Sequence, residues 1–252
     1  MKRPLISSIL AGSLSTLALL VLWELVARGA GLPEILLPQP TQVLKELCAE
    51  WSWYLGHAGY TTMTTLAGFA LSVVGGVCIG TLVASSARCE RFVYPMVVAL
   101  NSVPKVAIAP LFVIWMGTGS GPKIAIAFLI AVFAIIVDTI HGLRSVPQDV
   151  LDVARVLKGG RLAVFFKVRL PGALPSILAG MKVAVSLALV GAIVGEFVSS
   201  QRGLGYVIMS SQGTFDTVRV FAALSLLAVI GLLLYGLLVW VERVLTPWRT
   251  AH

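Results

Sequence analysis

The chain has 252 residues, 58% of them hydrophobic and only 12% charged, with a formal net charge of +8. A soluble domain carries roughly a quarter of its residues as charges, so this composition excludes an ordinary globular surface and places the chain in a bilayer. The basic residues are not interleaved with exposed aromatics, so the positive balance reads as a membrane-topology signal and excludes a nucleic-acid partner.

Crossing a bilayer takes roughly 20 apolar residues, and six stretches reach or approach that length, near 5–28, 61–87, 92–117, 121–142, 172–198 and 219–241. They are too long for strands and lack barrel alternation, so their backbone donors must be satisfied inside helices. The expectation is an all-α membrane protein of one domain, 1–252, with six transmembrane helices. Met1-Lys2-Arg3 before an apolar run also fits a secretory signal, but the run continues to about Val26 with only Glu24 interrupting, which favours an uncleaved first span. Glu24 is expected to snorkel to the interface.

The next segment, 29–60, is expected to be an outer loop. Within it Val43, Leu44, Leu47 and Trp51 share a helical face, which predicts a short amphipathic helix with Thr41 as N-cap, followed by the interfacial aromatics Trp53 and Tyr54. Gly76-x-x-x-Gly80 and Gly191-x-x-x-Gly195 mark the second and fifth spans as close-packing faces. Pro95, Pro104 and Pro110 break the third span, and irregular backbone at membrane depth survives only against protein or a water-filled cavity. That span is a candidate for lining a path.

Lys105 lies about 20 Å of helix beyond Arg91, where a charge must face a cavity or a partner such as Asp138. Lys105, Asp138 and Glu196 are the candidate residues of a substrate path, with packing or gating hydrogen bonds as the other role for the two acids. The stretch from Gly117 to Lys123 resembles a phosphate-binding loop only superficially; it lacks the spacing and reads as a tight turn between spans. Cys48, Cys78 and Cys89 fall in different compartments and suggest no disulfide or metal site, and His57, His141 and His252 are too scattered for one.

Segment 143–171 is the one long inner loop and holds six basic and two acidic residues. Ser145-Val146-Pro147-Gln148 has capping-box spacing, so a helix is expected to start there and run to about Leu157, with Gly159-Gly160 ending it. Arg161 to Val168 can form a second short helix, closed by Leu170-Pro171. With the N-terminus cytoplasmic, 12 of the 19 basic residues fall on inner segments (Lys2, Arg3, Arg88, Arg91, Arg144, Arg155, Lys158, Arg161, Lys167, Arg169, Arg243 and Arg249), which selects a cytoplasmic C-terminus as well.

The loop resembles the cytoplasmic signature of permeases from binding-protein-dependent ABC importers: Glu-Ala-Ala, three residues, Gly, nine residues, Ile, one residue, Leu-Pro. Here these positions are Asp152-Val153-Ala154, Lys158, Val168 and Leu170-Pro171, and the signature glycine is replaced by Lys158 with Gly159 next to it. A turn shifted onto Gly159 is the expected repair. Leu36-Leu37-Pro38-Gln39-Pro40, Val103-Pro104-Lys105, Pro110 to Gly117, and Gly195-Glu196-Phe197 with Gly203-Leu204-Gly205-Tyr206 are similar to the branch importing nitrate, sulfonates, taurine, bicarbonate or thiamine-precursor pyrimidines. The resemblance implies a type I importer permease (MetI-like) in a bacterial cytoplasmic membrane, working as a homodimer. It further implies two ABC ATPase subunits that use ATP and Mg and dock on the loop, and an extracytoplasmic substrate-binding protein. The permease itself would bind no cofactor and be no enzyme. The other class considered is a self-sufficient secondary transporter or channel, which usually shows paired inverted repeats not evident here.

Overall fold

The computed structural model describes residues 3–29, 31 and 33–247, with the side chains of 3–13, 87, 155 and 161 excepted; Lys2, Arg249 and His252 lie outside the described residues. Every regular element among the described residues is helical: α1 (Arg3–Gly29), α2 (Pro40–Ala49), α3 (Trp51–Ser85), α4 (Ala87–Ser102), α5 (Lys105–Met116), α6 (Ser120–Arg144), α7 (Gln148–Val156), α8 (Arg161–Val164), α9 (Leu170–Ser199), α10 (Leu204–Gly213) and α11 (Thr217–Leu245). A five-residue π-helical segment, Phe165–Arg169, joins α8 to α9.

Among the described residues α3, α6, α9 with the turns before it, and α11 are long and apolar enough to cross a bilayer; α4 and α5 make a fifth crossing if the pair is one span. The remaining expected span, α1, is helical where expected, with Leu14, Leu17 and Leu25 exposed as lipid-facing residues would be. The third span departs most from a straight crossing. Pro104 cannot donate and disfavours helix before it, so the chain bends by 92° between α4 and α5, whereas Pro95 and Pro110 stay inside helices. The depth of Lys105 therefore cannot be counted along one straight helix.

α6 is the central element, and small residues decide how its neighbours sit. On α3, a Cβ at Gly76 would lie 2.7 Å from the Ile135 side chain and one at Gly80 2.7 Å from Thr139. On α9, a Cβ at Gly191 would lie 2.6 Å from the Ala127 Cα and one at Gly195 2.8 Å from the Lys123 Cα. Both small-residue motifs are thus real contacts, and both are made to the same helix. Ala127, Ala131, Ala184, Ala188 and Ala192 fill the seam with Ile135. The order of these contacts makes α3 parallel and α9 antiparallel to α6, so Trp51, Ser120, Ser199 and Thr217 share one end of the bundle. Ser85, Arg144, Leu170 and Leu245 share the other, with α7 and α8; this is called the loop end below.

At the far end a second core joins Val43 and Leu47 of α2 to Tyr54, Leu204, Val207 and Ala223. Three expectations change here. α3 begins at Trp51, so residues 51–60 are part of a 35-residue helix and not of a loop. The N-cap of α2 is Gln39, which exchanges a reciprocal capping box with Gln42, and Pro40 takes the first turn. Thr41 instead gives its N–H and hydroxyl to Glu24, at 3.1 and 3.0 Å, while Arg28 donates to the same carboxylate at 2.6 Å. Glu24 therefore ties α1 to α2 and does not simply snorkel.

Candidate functional site

The loop between α6 and α9 is built differently from its sequence expectation at three points. Ser145 is the C-cap of α6, its hydroxyl donating to the Gly142 carbonyl at 2.9 Å, so it caps no following helix. α7 starts at Gln148, after Pro147. Leu170-Pro171 does not close a separate helix: α8, the π segment and α9 run on as one rod over Leu162–Ser199. Pro171 falls in the first turn of α9, where its missing N–H costs least, and the wider π turn before it makes the Leu170 N–H to Phe165 carbonyl bond.

The turn after α7 overturns the shifted-turn expectation. Lys158 itself takes the left-handed conformation, φ +52°, at the signature-glycine position, and Gly159 has no positive φ. The Gly159 N–H reaches the Ala154 carbonyl at 3.0 Å, the six-to-one bond of a Schellman cap with Lys158 as the left-handed residue. Gly159 is required for a different reason: a Cβ there would lie 2.9 Å from the Ala154 carbonyl oxygen and 3.1 Å from Val164. The pairing Lys-Gly thus keeps the turn in place, with lysine absorbing roughly 1 kcal/mol of backbone strain.

Asp152, Val153, Ala154, Lys158 and Gly159 come together as one helix and turn; Val168 sits in the π segment and Leu170 and Pro171 at the start of α9. Leu151 and Val146 are buried, the latter against Gly172, which seats the loop on α9. The opposite side is apolar yet uncovered. Val153, Val156 and Leu157 stand exposed, Val156 at 81%, as do Leu162 and Phe166 at the start of the Leu162–Ser199 rod. Val153, Val156 and Leu157 lie outside the lipid-length helices, where exposed apolar side chains are candidates for a partner surface, whereas Leu162 and Phe166 belong to the Leu162–Ser199 span.

Lys105, Asp138 and Glu196 are not brought together. Lys105 donates to Asn101 and lies 5.9 Å from the centre of the Phe133 ring, at the α4–α5 bend. Asp138 does not pair with it; it abuts Gly180 in the α6–α9 seam. Glu196 is 1% exposed and holds the far-end connection together. It accepts from Thr61 Oγ1 at 2.9 Å and from the Gly205 N–H at 2.8 Å, while Thr61 Oγ1 accepts from the Leu204 N–H at 2.8 Å. The Gly203 N–H donates to His57 Nδ1 at 3.0 Å. Three orphan donors at the start of α10 are thereby satisfied, and the carboxylate is committed to that cap.

Sequence reasoning missed Lys123, fully buried, whose ammonium donates to the carbonyls of Thr118, Gly119 and Ser199 and so pins the α5–α6 turn to the end of α9. It also missed Arg219, which donates to Glu46 at 3.0 Å and lies over Trp53, and the Lys182–Glu242 pair at 2.8 Å between α9 and α11. The last had a signal: opposite charges in two apolar spans, both near the same end.

The fold is a bundle of membrane-length helices packed on one central helix, with a helical loop at one end that leaves apolar side chains exposed, the architecture of a multi-pass membrane protein. Residues 76–247 match the model of the family described as binding-protein-dependent transport system inner membrane component, and the chain belongs to that family. It is 36% identical over 92% of its length to the formylaminopyrimidine transport permease protein ThiX of Halalkalibacterium halodurans, covering 93% of that protein. It is also 32% identical over 96% of its length to the putative aliphatic sulfonates transport permease protein SsuC of Bacillus subtilis, covering 88% of it. Its fold matches a chain of the inward-facing MetNI methionine ABC transporter with a TM-score of 0.70 at 18% identity, over 78% of this chain and 98% of that one. The chain is therefore a multi-pass membrane permease of the type I importer fold, a subunit of an ABC importer that works with an ATPase and a binding protein, and not an enzyme or a self-sufficient secondary transporter.

Proposed function

We propose that the chain works as a homodimer forming the translocation path for a small solute, with one ATPase subunit docked on the α7–α8 loop of each copy. The observation that carries this reading is the exposed apolar set Val153, Val156 and Leu157 on α7 and its turn, in a loop seated through Val146 against Gly172 on the rod that becomes α9. Covering such side chains is favourable by roughly 1.5–3 kcal/mol each at full burial, before the entropy lost on association. Asp152, exposed on the same helix, adds a charge for register.

The loop end is cytoplasmic in this reading, and both chain termini with it. Arg88, Arg91, Arg144, Lys158, Lys167, Arg169 and Arg243 gather at that end, which supports it. The ATPase supplies ATP and Mg chemistry and the binding protein delivers solute at the far end. When the ATPases close, the two loops approach; the rod over Leu162–Ser199, about 57 Å long at 1.5 Å per residue, carries that movement to the far end. Lys105 at the bent third span is the path residue, attracting an anionic solute, whereas Asp138 and Glu196 act in packing. The solutes named for the relatives, sulfonates and a formylaminopyrimidine, are the candidates for this chain.

Asp152→Lys and Gly159→Val test the dock. Both variants are expected to insert and purify normally while losing ATPase copurification and uptake, the first by reversing a docking charge and the second by driving a side chain into the Ala154 carbonyl. Undiminished copurification with normal uptake in both would refute it.

A further inference from the structure

We propose that the pocket at the α4–α5 bend is a ligand subsite of the permease itself, built for a small organic anion with an apolar body. The pocket holds about 200 Å³ between α3, α4 and α6. Its walls are Ile79, Val97, Val132 and the side chains of Phe128 and Phe133, and its only polar side chains are Lys105 and Asn101. The Lys105 ammonium gives one donor to Asn101 Oδ1 and has no carboxylate within ion-pairing distance among the described residues. An ammonium has three donors, so two remain for a ligand, and an anion is the ligand whose charge complements this half-buried cation.

The walls decide which anions fit. Nitrate or bicarbonate carries polar oxygens on every side, and beyond the Lys105 ammonium and the Asn101 amide N–H groups the walls are phenyl and aliphatic carbon that offer those oxygens no donor. A zwitterion such as taurine brings an ammonium to a pocket whose one amide oxygen is already taken by Lys105. A sulfonate or carboxylate on an alkyl or aryl body answers both ends. An anionic lipid offers the same head on an apolar chain. The small volume and the position of Lys105 directly after the Val103-Pro104 break, where irregular backbone must face protein or water, favour the soluble anion. The proposal rests on reading the α4–α5 bend as part of the path.

The test is binding of benzenesulfonate to the purified permease in phosphatidylcholine nanodiscs, without ATPase. Saturable binding is expected, not displaced by nitrate, unaffected by replacing part of the lipid with phosphatidylglycerol, weakened about tenfold or more by Lys105→Met and largely kept by Lys105→Arg. Absence of saturable binding, displacement by nitrate, displacement by the anionic lipid, or full binding in Lys105→Met would each overturn it. The wild-type competition arms decide the matter even where a variant fails to fold. No ATPase is present in the assay, so failure here leaves the docking reading standing, and failure of docking leaves this measurement intact.

Discussion

Lys158 shows how one residue can hold a turn that its type disfavours. Its φ of +52° goes with the Gly159 N–H to Ala154 carbonyl bond that closes the turn. Lys158→Gly removes the strain and is expected to stabilise the loop by about 1 kcal/mol, read as slower hydrogen exchange of the Gly159 amide, with uptake retained. Faster exchange would mean that the lysine side chain itself holds the turn. At the far end, Thr61→Val removes an acceptor from Leu204 and a donor to Glu196 together, leaving buried groups unpaired. A loss of about 2–4 kcal/mol is expected, seen as a lower unfolding midpoint in detergent, whereas Thr61→Ser should keep most of it. An unchanged midpoint in Thr61→Val would remove this cap from the list of what holds α10.

At the scale of elements, the glycine stripes of α3 and α9 settle the packing. Gly191→Leu forces a side chain against the Ala127 backbone and is expected to abolish a monodisperse permease, because backbone cannot yield as a flexible side chain does. The same change at Gly236, which has open space around its Cβ position, is expected to be silent. Equal behaviour of the two in size-exclusion chromatography would contradict α6-centred packing. The π segment offers a sharper probe of coupling. A π turn amounts to one residue inserted in an α-helix, so deleting Lys167 should restore regular helix and rotate α7 by about 100° relative to α9. The variant should fold and lose ATPase coupling; normal coupling would show that the loop's angular position is not set by the rod.

Much of this architecture was legible in the sequence because it rests on long-range composition: apolar runs, small residues four apart and a signature loop. The π turn and the start of α3 at Trp51 were not, since Gly56, His57 and Gly59 depress the apolar signal that tertiary packing of Tyr54 then overrides. Glu196 was ambiguous, and Lys123 went unread, for a similar reason. A buried charge looks the same in sequence whether it meets a solute or backbone groups contributed by distant helices, and here it meets backbone.

For the whole molecule, the division of labour is the central claim: the far end is locked by Glu196, Thr61, Lys123 and Arg219, while the loop end presents exposed apolar side chains to a partner. Cross-linking in the assembled importer tests it most directly, in a background where Cys48, Cys78 and Cys89 are replaced so that one introduced thiol reacts. Val156→Cys on α7 and Phe215→Cys at the far end are both well exposed. The expected result is a short-linker cross-link from position 156 to the ATPase subunit, with uptake blocked, and none to it from position 215. A cross-link to the ATPase from position 215 and none from 156 would contradict the assignment of the α7–α8 loop as the coupling surface.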